Sequence, residues 1–222
     1  MCGRYTLSIP VDALAERFHA VLSRGFLAPT YNAAPSQLLP AILNTHPHEI
    51  AASTWGFIPE WADERPDVKP LINARAETAA TKPTFRQAFR SKRCLVLADG
   101  FYEWKRSGKV RVPYRIALKS GEPFAFAGIW SMVHDLSGQP YTTFAILTTE
   151  ANDLVAEIHN RMPVILHARD EAHWLDQRFS LDAAQELLMS FPADLLTVYE
   201  VSTKVNSPAY NTPDVLQPVS HV

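Results

Sequence analysis

Cysteine is scarce in this chain of 222 residues, with Cys2 and Cys94 alone and no CxxC pair. Two cysteines cannot build a disulfide framework, and the lack of a CxxC pair argues against a structural zinc site. No apolar run approaches the roughly 18 residues that a membrane-spanning helix needs. We therefore expect no metal, no cofactor and no membrane partner.

An excess of charge of one sign is also lacking. The chain has 21 Lys and Arg residues against 23 Asp and Glu residues, a formal net charge of −2. This balance excludes a globally basic surface but permits a local basic groove. The first residues, Met1-Cys2-Gly3-Arg4-Tyr5, lack the apolar core of a signal peptide, so we expect a cytoplasmic protein.

Glycine is sparse, with 8 residues against 17 prolines. The many prolines are expected to separate the chain into short segments. Alternating and apolar runs predict strands over residues 38–43, 50–55, 94–98, 114–118, 124–130, 143–148 and 197–201. Apolar spacing predicts helices over residues 10–22, 150–158, 170–175 and 181–189, with a short one after Thr84. Thr149 is the expected N-cap of the helix over residues 150–158, and Ser180 that of the helix over residues 181–189. Residues 59–70 are interpreted as a surface loop. Because strands and helices mix without strict βαβ alternation, we expect one α+β domain over residues 1–222.

Cys2 directly follows the initiator methionine, which is usually removed when the next residue is small. The mature chain then begins with a free α-amine beside a thiol. With reference pKa values of about 7.7–8.0 and about 8.5, both groups are partly deprotonated near neutral pH. Such a 1,2-aminothiol attacks an aldehyde through nitrogen and then closes a thiazolidine ring through sulfur, whereas a lysine forms only the imine. The alternative is that Cys2 is a small buried residue near a flexible terminus.

Glu103 lies in an aromatic, strand-like stretch between Tyr102 and Trp104. If its side chain points inward, burial raises the pKa of its carboxyl into the range of a general acid–base group. The alternative is that Glu103 faces solvent while Tyr102 and Trp104 face the core.

His159 falls where the preceding helix is expected to end, because Pro163 blocks its continuation. A helix C-terminus favours imidazolium, which suits a proton donor near neutral pH, and a plain capping role is the alternative. His46 and His48 lack a neighbouring cysteine or carboxylate pattern, so we interpret them as surface-loop residues rather than metal ligands.

Asn73 and Arg75 combine an amide with a guanidinium in one short segment. Asparagine donates and accepts hydrogen bonds at once, which suits the orientation of an amine or a sugar hydroxyl. The planar fork of Arg75 matches phosphate. Arg4 and Arg161 lie beside Cys2 and His159 in the same way, so these two residues and Asn73 each have a candidate phosphate ligand next to them in sequence.

Several short motifs occur in order along nearly the whole chain, and together they resemble the SRAP (SOS-response-associated peptidase) family. They are Cys2-Gly3-Arg4-Tyr5, Tyr31-Asn32-Ala33-Ala34-Pro35, Trp55-Gly56-Phe57-Ile58-Pro59, Asn73-Ala74-Arg75-Ala76-Glu77-Thr78, Arg93-Cys94-Leu95-Val96, Asp99-Gly100-Phe101-Tyr102-Glu103-Trp104, Phe126-Ala127-Gly128-Ile129-Trp130, Ile158-His159-Asn160-Arg161-Met162-Pro163 and Val201-Ser202 with Val205-Asn206. No single motif is decisive, but the set is highly specific. The resemblance implies one α+β domain with a curved, barrel-like mixed or antiparallel sheet flanked by short helices.

The resemblance also implies a DNA-repair activity at abasic sites in single-stranded DNA. The opened abasic sugar carries the aldehyde that an aminothiol requires, so Cys2 is the residue that becomes covalently attached and shields the lesion. By the same resemblance, Asn73 positions the amine or the sugar and Glu103 shuttles protons. His159 protonates the opened sugar or assists reversal.

The resemblance further implies where DNA binds. Arg4, Arg75 and Arg161 are the expected phosphate ligands, and Pro35 and Trp104 are the expected packing surfaces for the strand. We expect a monomer whose partner is single-stranded DNA with abasic sites, associated with the nucleoid if the source is bacterial.

The sequence departs from some relatives in two places. Trp61 is followed by Ala62 where some relatives carry paired tryptophans, so stacking on that side is expected to be altered. Residues 81–83 lack an arginine that some relatives have, and Lys82 or Arg86 is the expected substitute as a point charge.

Two other functions stay open at this point. One is a cysteine peptidase that acts through Cys2 with its own α-amine as base, for example in self-processing. The other is a non-covalent single-stranded DNA binder with arginines on phosphate and aromatic rings on bases. The crosslinking function is preferred because it alone explains why a thiol stands next to the amine.

Overall fold

The computed structural model describes residues 2–23, 29–63, 65 and 67–219. Its strands are β1 (Tyr5–Leu7), β2 (Val21–Leu22), β3 (Thr30–Ala33), β4 (Leu38–Leu43), β5 (Glu49–Trp55), β6 (Asn73–Arg75), β7 (Arg93–Ala98), β8 (Gly100–Ser107), β9 (Val110–Leu118), β10 (Phe124–His134), β11 (Pro140–Glu150), β12 (Arg161–Pro163) and β13 (Leu196–Glu200). Its helices are α1 (Val11–Arg17), α2 (Ala76–Ala79), α3 (Arg86–Ser91), α4 (Asp153–Ala156), α5 (Ala168–Leu175) and α6 (Leu181–Glu186). Within this part of the chain, no helix has the length and apolar character to cross a membrane.

Five strands close a barrel in the order β5, β4, β7, β10 and β11, with β11 returning to β5. The consecutive pairings are antiparallel, and the closing β11–β5 pairing is parallel. Strands β12 and β6 also pair with β11, and β2 pairs with β5. The expected α+β fold with a curved, barrel-like mixed sheet and short helices is therefore confirmed.

A second sheet, in the order β13-β9-β8-β1-β3, packs against this barrel. The Tyr5 ring of β1 lies 5.2 Å from the Trp55 ring and 5.8 Å from the Phe126 ring, both on barrel strands. All three side chains are fully buried, and such aromatic contacts contribute more than their buried area alone. The first strand of the chain is thereby fixed over the barrel.

Each predicted strand has an observed counterpart: five are longer in the structure, and the strand predicted over residues 197–201 lies one residue earlier, as Leu196–Glu200. The strand predicted over residues 38–43 is β4 with the same bounds, and β10 and β11 continue into an exposed hairpin as far as His134 and Pro140. Cross-strand pairing lengthens them beyond their apolar runs, because hydrogen bonding in a ladder does not require an apolar side chain. Cys94 is fully buried in the apolar strand β7.

The helix predicted over residues 10–22 is wrong in its second half. Helix α1 ends at Arg17, and His19 adopts a φ of 50°, in the left-handed region. Val21 and Leu22 then pair in parallel with β5, and the Val21 amide donates to the His48 carbonyl at 2.9 Å. The backbone groups of Val21 and Leu22 therefore form hydrogen bonds with the edge of the sheet instead of within a longer helix.

The helix predicted over residues 150–158 begins later and ends earlier than expected. Thr149 and Glu150 remain in β11, paired with β12, so Thr149 is not the helix cap. Asn152 caps α4 instead, because its Oδ1 accepts a hydrogen bond from the Val155 amide at 2.9 Å. The predicted Ser180 cap of α6 is confirmed by its bond from the Ala183 amide at 3.1 Å. The loop over residues 59–70 contains a 3₁₀ turn, Glu60–Ala62, and its residues 64 and 66 lie outside the described part.

A buried carboxylate holds the start of the chain in place. Asp99 Oδ1 accepts a hydrogen bond from Thr6 Oγ1 at 2.5 Å, and Oδ2 accepts from the Ser8 amide and hydroxyl at 2.6 Å each. Arg115 Nη2 lies 3.3 Å from Asp99 Oδ1 and forms a mostly buried ion pair with it. These contacts anchor β1 to the turn between β7 and β8.

Asp99→Ala is expected to lower the free energy of unfolding by about 3 kcal/mol. The substitution leaves the Arg115 charge without its buried partner and strips Thr6 and Ser8 of their acceptor. Urea denaturation of both proteins measures the loss. Asp194→Ala is the control: Asp194 is exposed, and its substitution is expected to change stability by less than about 0.5 kcal/mol. Equal effects of the two substitutions would contradict the anchoring role.

Candidate functional site

Cys2 is fully buried in the segment that leads into β1. Its thiol donates a weak hydrogen bond to the Arg4 carbonyl, with Sγ and O separated by 3.6 Å. Burial raises the pKa of the Cys2 thiol, and the negative charge of Glu103 raises it further. The thiol is therefore protonated near neutral pH, which corrects the expectation of a partly ionised one, and its reaction requires a base.

Glu103 lies in β8 directly beside that segment. The β1–β8 register places Tyr5 opposite Phe101, and the Tyr102 amide donates to the Arg4 carbonyl at 3.0 Å. If this antiparallel register is continued by two residues, Gly3 lies opposite Glu103, so the start of the chain runs alongside Glu103. The side chain is buried at 3% exposure, so the alternative of a solvent-facing Glu103 is wrong.

Burial also sets the ionisation of Glu103. It raises the pKa of the carboxyl, while nearby positive charge, including that of His159, opposes the shift. Both faces of β8 are covered here: Phe101 packs in the main core, and Tyr102 packs in a smaller cluster with Val201 and Val215. This double coverage is why alternation along the strand did not reveal the inward direction of Glu103.

Asn73 reaches the same place from the barrel. It opens β6, whose parallel pairing sets it opposite Ile146 of β11. Its Nδ2 donates to the Cys2 carbonyl at 2.8 Å. Its Oδ1 is buried and accepts no hydrogen bond from any described residue. The amide thus fixes the Cys2 backbone with one end and presents a buried acceptor with the other.

His159 completes the group from the turn after α4. Helix α4 ends at Ala156, and the His159 amide donates to the Val155 carbonyl at 2.9 Å. His159 Nδ1 lies 3.0 Å from the Arg161 amide nitrogen and 3.3 Å from the Arg161 carbonyl oxygen, so the backbone of Arg161 orients the ring. The interaction with Glu103 sets the imidazole near that carboxyl, where it is a potential proton donor.

Four chain segments that are distant in sequence thus converge. Asn73 is hydrogen-bonded to Cys2, Cys2 interacts with Glu103, and Glu103 interacts with His159. The group combines a thiol, a carboxyl of raised pKa, an amide and an imidazole. Such a set can bind a small polar group, move protons and supply a sulfur nucleophile.

A cavity of about 410 Å³ lies beside this group and is lined by Gly3, Arg4, Trp104, Arg111 and Asn206. Arg4 Nη1 donates to the Val205 carbonyl at 2.9 Å and to Asn32 Oδ1 at 3.2 Å. Trp104 Nε1 donates to Asn206 Oδ1 at 2.7 Å, which fixes the indole ring at the cavity wall. Positive charge and an aromatic ring therefore border the open side of the site.

Among the other predicted DNA ligands, Arg161 forms its contacts within the protein. Arg161 forms a salt bridge with Glu77, with distances of 2.5 and 2.9 Å, and also donates to the Thr148 carbonyl. The hydrogen bonds from Arg161 lower the pKa of the Glu77 carboxyl. Arg161 is thus engaged within the protein, and its phosphate contact stays a prediction.

Four further predicted ligands lie on the surface around these segments. Arg75 is exposed at the end of β6, and Pro35 is half-buried in the turn after β3. Lys82 is exposed after α2, and Arg86 is exposed on α3, where it lines a shallow depression of about 360 Å³ with Arg90. Their contacts with DNA stay predictions.

Sequence reasoning missed two residues that shape the site. Asn32 accepts from Arg4 and donates through Nδ2 to three carbonyls of the segment after β13, so it joins β3 to that segment. Its place in the Tyr31-Asn32-Ala33-Ala34-Pro35 motif was the available signal. Arg111 lines the cavity from β9, and its place became visible only through the β8–β9 pairing. Among the described residues, no cluster of His, Cys, Asp and Glu suits a metal ion.

Comparisons of sequence point to one family. Residues 1–208 match the model of the SOS response associated peptidase (SRAP) family. The abasic site processing protein YoqW of Bacillus subtilis is 43% identical, over 98% of this chain and 99% of its own length. YedK of Escherichia coli, also named an abasic site processing protein, is 33% identical, over 85% and 84%. The protein HMCES of Gallus gallus, which carries the same description, is 31% identical, over 89% and 68%.

Solved structures agree with this assignment. A crystal structure of a protein from Bacteroides thetaiotaomicron has a TM-score of 0.90 at 28% identity, covering 99% of this chain and 100% of that one. A protein from Bordetella bronchiseptica has a TM-score of 0.78 at 27% identity, covering 90% and 100%. On its family match, its relatives and its fold, the chain belongs to the SOS response associated peptidase (SRAP) family.

Proposed function

We propose that this protein processes abasic sites in single-stranded DNA by linking itself covalently to the opened sugar through Cys2. The observation that carries the proposal is the Asn73 amide on the Cys2 carbonyl, with a buried carboxyl of raised pKa beside the thiol. The names of the relatives, abasic site processing proteins, support the same lesion. Residues 1–208 match one family model, which supports a single domain over residues 1–222.

The first step is imine formation at the amino terminus. The proposal requires removal of Met1, a residue outside the described part of the chain, so that the α-amine belongs to Cys2. That amine attacks the aldehyde carbon of the opened sugar, and the resulting carbinolamine loses water. Glu103 is suited to protonate the departing hydroxyl because its raised pKa keeps a proton available.

The second step closes the ring. The Cys2 sulfur adds to the imine carbon, its proton passes to the imine nitrogen by way of Glu103, and a thiazolidine results. No oxidant or cofactor is needed, since aldehyde and aminothiol give thiazolidine and one water. The protonated state of the buried thiol explains why a base must lie beside it. Glu103 thus serves both steps, first as acid and then as base.

Asn73 and His159 have supporting roles in this proposal. The unfilled acceptor Oδ1 of Asn73 is suited to hold the α-amine or a sugar hydroxyl, while its Nδ2 keeps the Cys2 backbone fixed. His159 lies near Glu103, and its imidazolium form would donate a proton to the ring oxygen as the sugar opens and leave the neutral ring. Return of the proton would assist reversal of the crosslink.

The strand itself would be held by the residues around the cavity. Arg4 is fixed by Asn32 and the Val205 carbonyl, so it offers its remaining donors to phosphate without further loss of side-chain freedom. Trp104 presents a ring for stacking, and Arg75, Lys82 and Arg86 add exposed positive charge. We propose that a monomer suffices, because these groups belong to one chain.

The proposal is tested with two single-stranded oligonucleotides that differ only at the lesion. One carries an abasic site with a free aldehyde, and the other carries the reduced, alcohol form. The expected result is a denaturation-resistant protein–DNA product with the aldehyde alone, because the alcohol offers no carbonyl. Equal non-covalent binding of both without a product would favour a simple DNA binder instead. Release of Met1 that persists with aminopeptidases inhibited would favour self-processing as an additional activity.

A further inference from the structure

Strands β8 and β9 continue beyond the body of the protein as a two-stranded arm. Their ladder runs from Phe101 opposite Ile116 to Ser107 opposite Val110, and residues 105–111 are all exposed. Gly108 has a φ of +61° and opens a two-residue turn, a geometry that matches the twist of a hairpin and favours glycine. The arm is therefore a regular element that holds its side chains in fixed directions.

The arm is strongly basic in a protein whose net charge is −2. Residues 105–111 include Lys105, Arg106, Lys109 and Arg111 and no acidic residue. Arg106 stands directly opposite Arg111 in the ladder, and like charges in that position repel. Neither guanidinium forms a salt bridge with a described residue. The two guanidinium groups repel each other when no ligand is bound, and an anion between them would offset that repulsion.

Because side chains alternate along a strand, the basic residues of the arm are divided between its two faces. Trp104 and Arg106 lie two residues apart on β8 and therefore share a face, and Arg111 joins them from β9. Lys105 points to the opposite face, opposite Val112. Trp104 and Arg111 also line the cavity that contains Gly3 and Arg4. One face of the arm is thus continuous with the open side of the Cys2 site.

We propose that this arm binds the phosphodiester backbone of the single strand that flanks the abasic nucleotide on one side. This proposal builds on the abasic-site function, because this face continues from the cavity beside the Cys2 site. Planar guanidinium forks match phosphate oxygens, and Trp104 offers an unpaired base a surface for stacking. At about 3.3 Å per residue, the arm extends roughly 10 Å from Trp104 to Ser107. It binds the flank rather than the reacting sugar.

The test compares two double variants that remove the same charge from different parts of the arm. R106Q/R111Q clears the face beside Trp104, and K105Q/K109Q clears the opposite face and the turn. Binding is measured with single-stranded oligonucleotides that carry the reduced, non-reactive abasic site, extended on the 5′ side, on the 3′ side or on neither. Each extended oligonucleotide is also measured with its flank paired to a complementary strand, and every titration is repeated across a range of salt concentrations.

For R106Q/R111Q we expect about tenfold weaker binding of one extended oligonucleotide. The slope of log Kd against log salt should become shallower by roughly 1.4, as expected for two lost phosphate contacts on a single strand. The oligonucleotide without extension should be bound with less than threefold change, and K105Q/K109Q should change binding of the extended ones by less than threefold. Equal effects of the two variants, or an effect confined to paired flanks, would overturn the proposal.

The outcome is separable from that of the abasic-site function. Wild-type protein incubated with the short aldehyde-bearing oligonucleotide reports the covalent reaction alone. A product there, together with unchanged flank binding by R106Q/R111Q, would reject the arm and leave the crosslinking function standing. Absence of that product would reject the crosslinking function whatever the arm binds.

Discussion

Cys2→Ala is expected to abolish the denaturation-resistant product with abasic single-stranded DNA. The variant keeps the α-amine and so still forms an imine, but without Sγ no ring closes and water reverses the imine. We expect at least a hundredfold less product after denaturation, because the buried thiol has no substitute in the group formed by Asn73, Glu103 and His159. Denaturing gel electrophoresis after a fixed incubation measures the product.

Cys94→Ala is the matched control, since Cys94 is the other thiol of the chain and is equally buried. It packs in β7 against β10, where its Sγ lies 2.8 Å from the position that a Cβ on Gly128 would occupy. Loss of that sulfur is expected to cost about 1 kcal/mol of stability and to leave the crosslink yield unchanged. A full yield from Cys2→Ala would contradict the proposed chemistry.

Glu103→Gln is expected to slow crosslinking by about 10² to 10³-fold under single-turnover conditions. A glutamine keeps the shape of the side chain but cannot take the proton from the Cys2 thiol or give one to the carbinolamine. Because burial and Glu103 itself raise the pKa of that thiol, little thiolate forms without a base. Glu122→Gln, at an exposed position, should react like wild type. A Glu103→Gln rate within threefold of wild type would exclude Glu103 as the proton carrier.

The same substitution separates catalysis from folding through its pH dependence. The folded-state pKa of Glu103 is raised by burial, so between about pH 4.3, the unfolded value, and the raised value the folded protein holds a proton that the unfolded chain releases. Stability therefore falls as pH rises through that window. Glu103→Gln lacks this loss, so in thermal unfolding its stability relative to wild type should increase as pH rises above about 4.3. A slower yet more stable variant is the signature of a functional carboxyl.

The fold was predictable where one side-chain pattern determines one structure. The apolar strand β4 was predicted with its bounds, since both of its faces are covered. The second half of the first helix was not, because Val21 and Leu22 carry apolar side chains at helical spacing yet pair with β5. Closure of the barrel by β11 and β5 joins segments about 90 residues apart, and no local pattern encodes it.

The sequence was sufficient to name residues of the candidate site, but not to predict the direction of their side chains or their bonds within the protein. Cys2 and Asn73 were singled out from chemistry, and the structure places them 2.8 Å apart between amide and carbonyl. The inward direction of Glu103 was beyond alternation, because both faces of β8 are covered by different clusters. The internal salt bridge of Arg161 was equally invisible, since its partner Glu77 is 84 residues away in sequence.

Intact mass spectrometry before and after incubation with an abasic oligonucleotide tests the central claim most directly. Before incubation, the account predicts the mass of the printed sequence less one methionine. Afterwards it predicts the sum of protein and oligonucleotide less one water, a mass that borohydride leaves unchanged because a thiazolidine contains no C=N bond. Retention of the methionine in the linked species, or a gain of two hydrogens on borohydride treatment, would contradict a ring closed by Cys2.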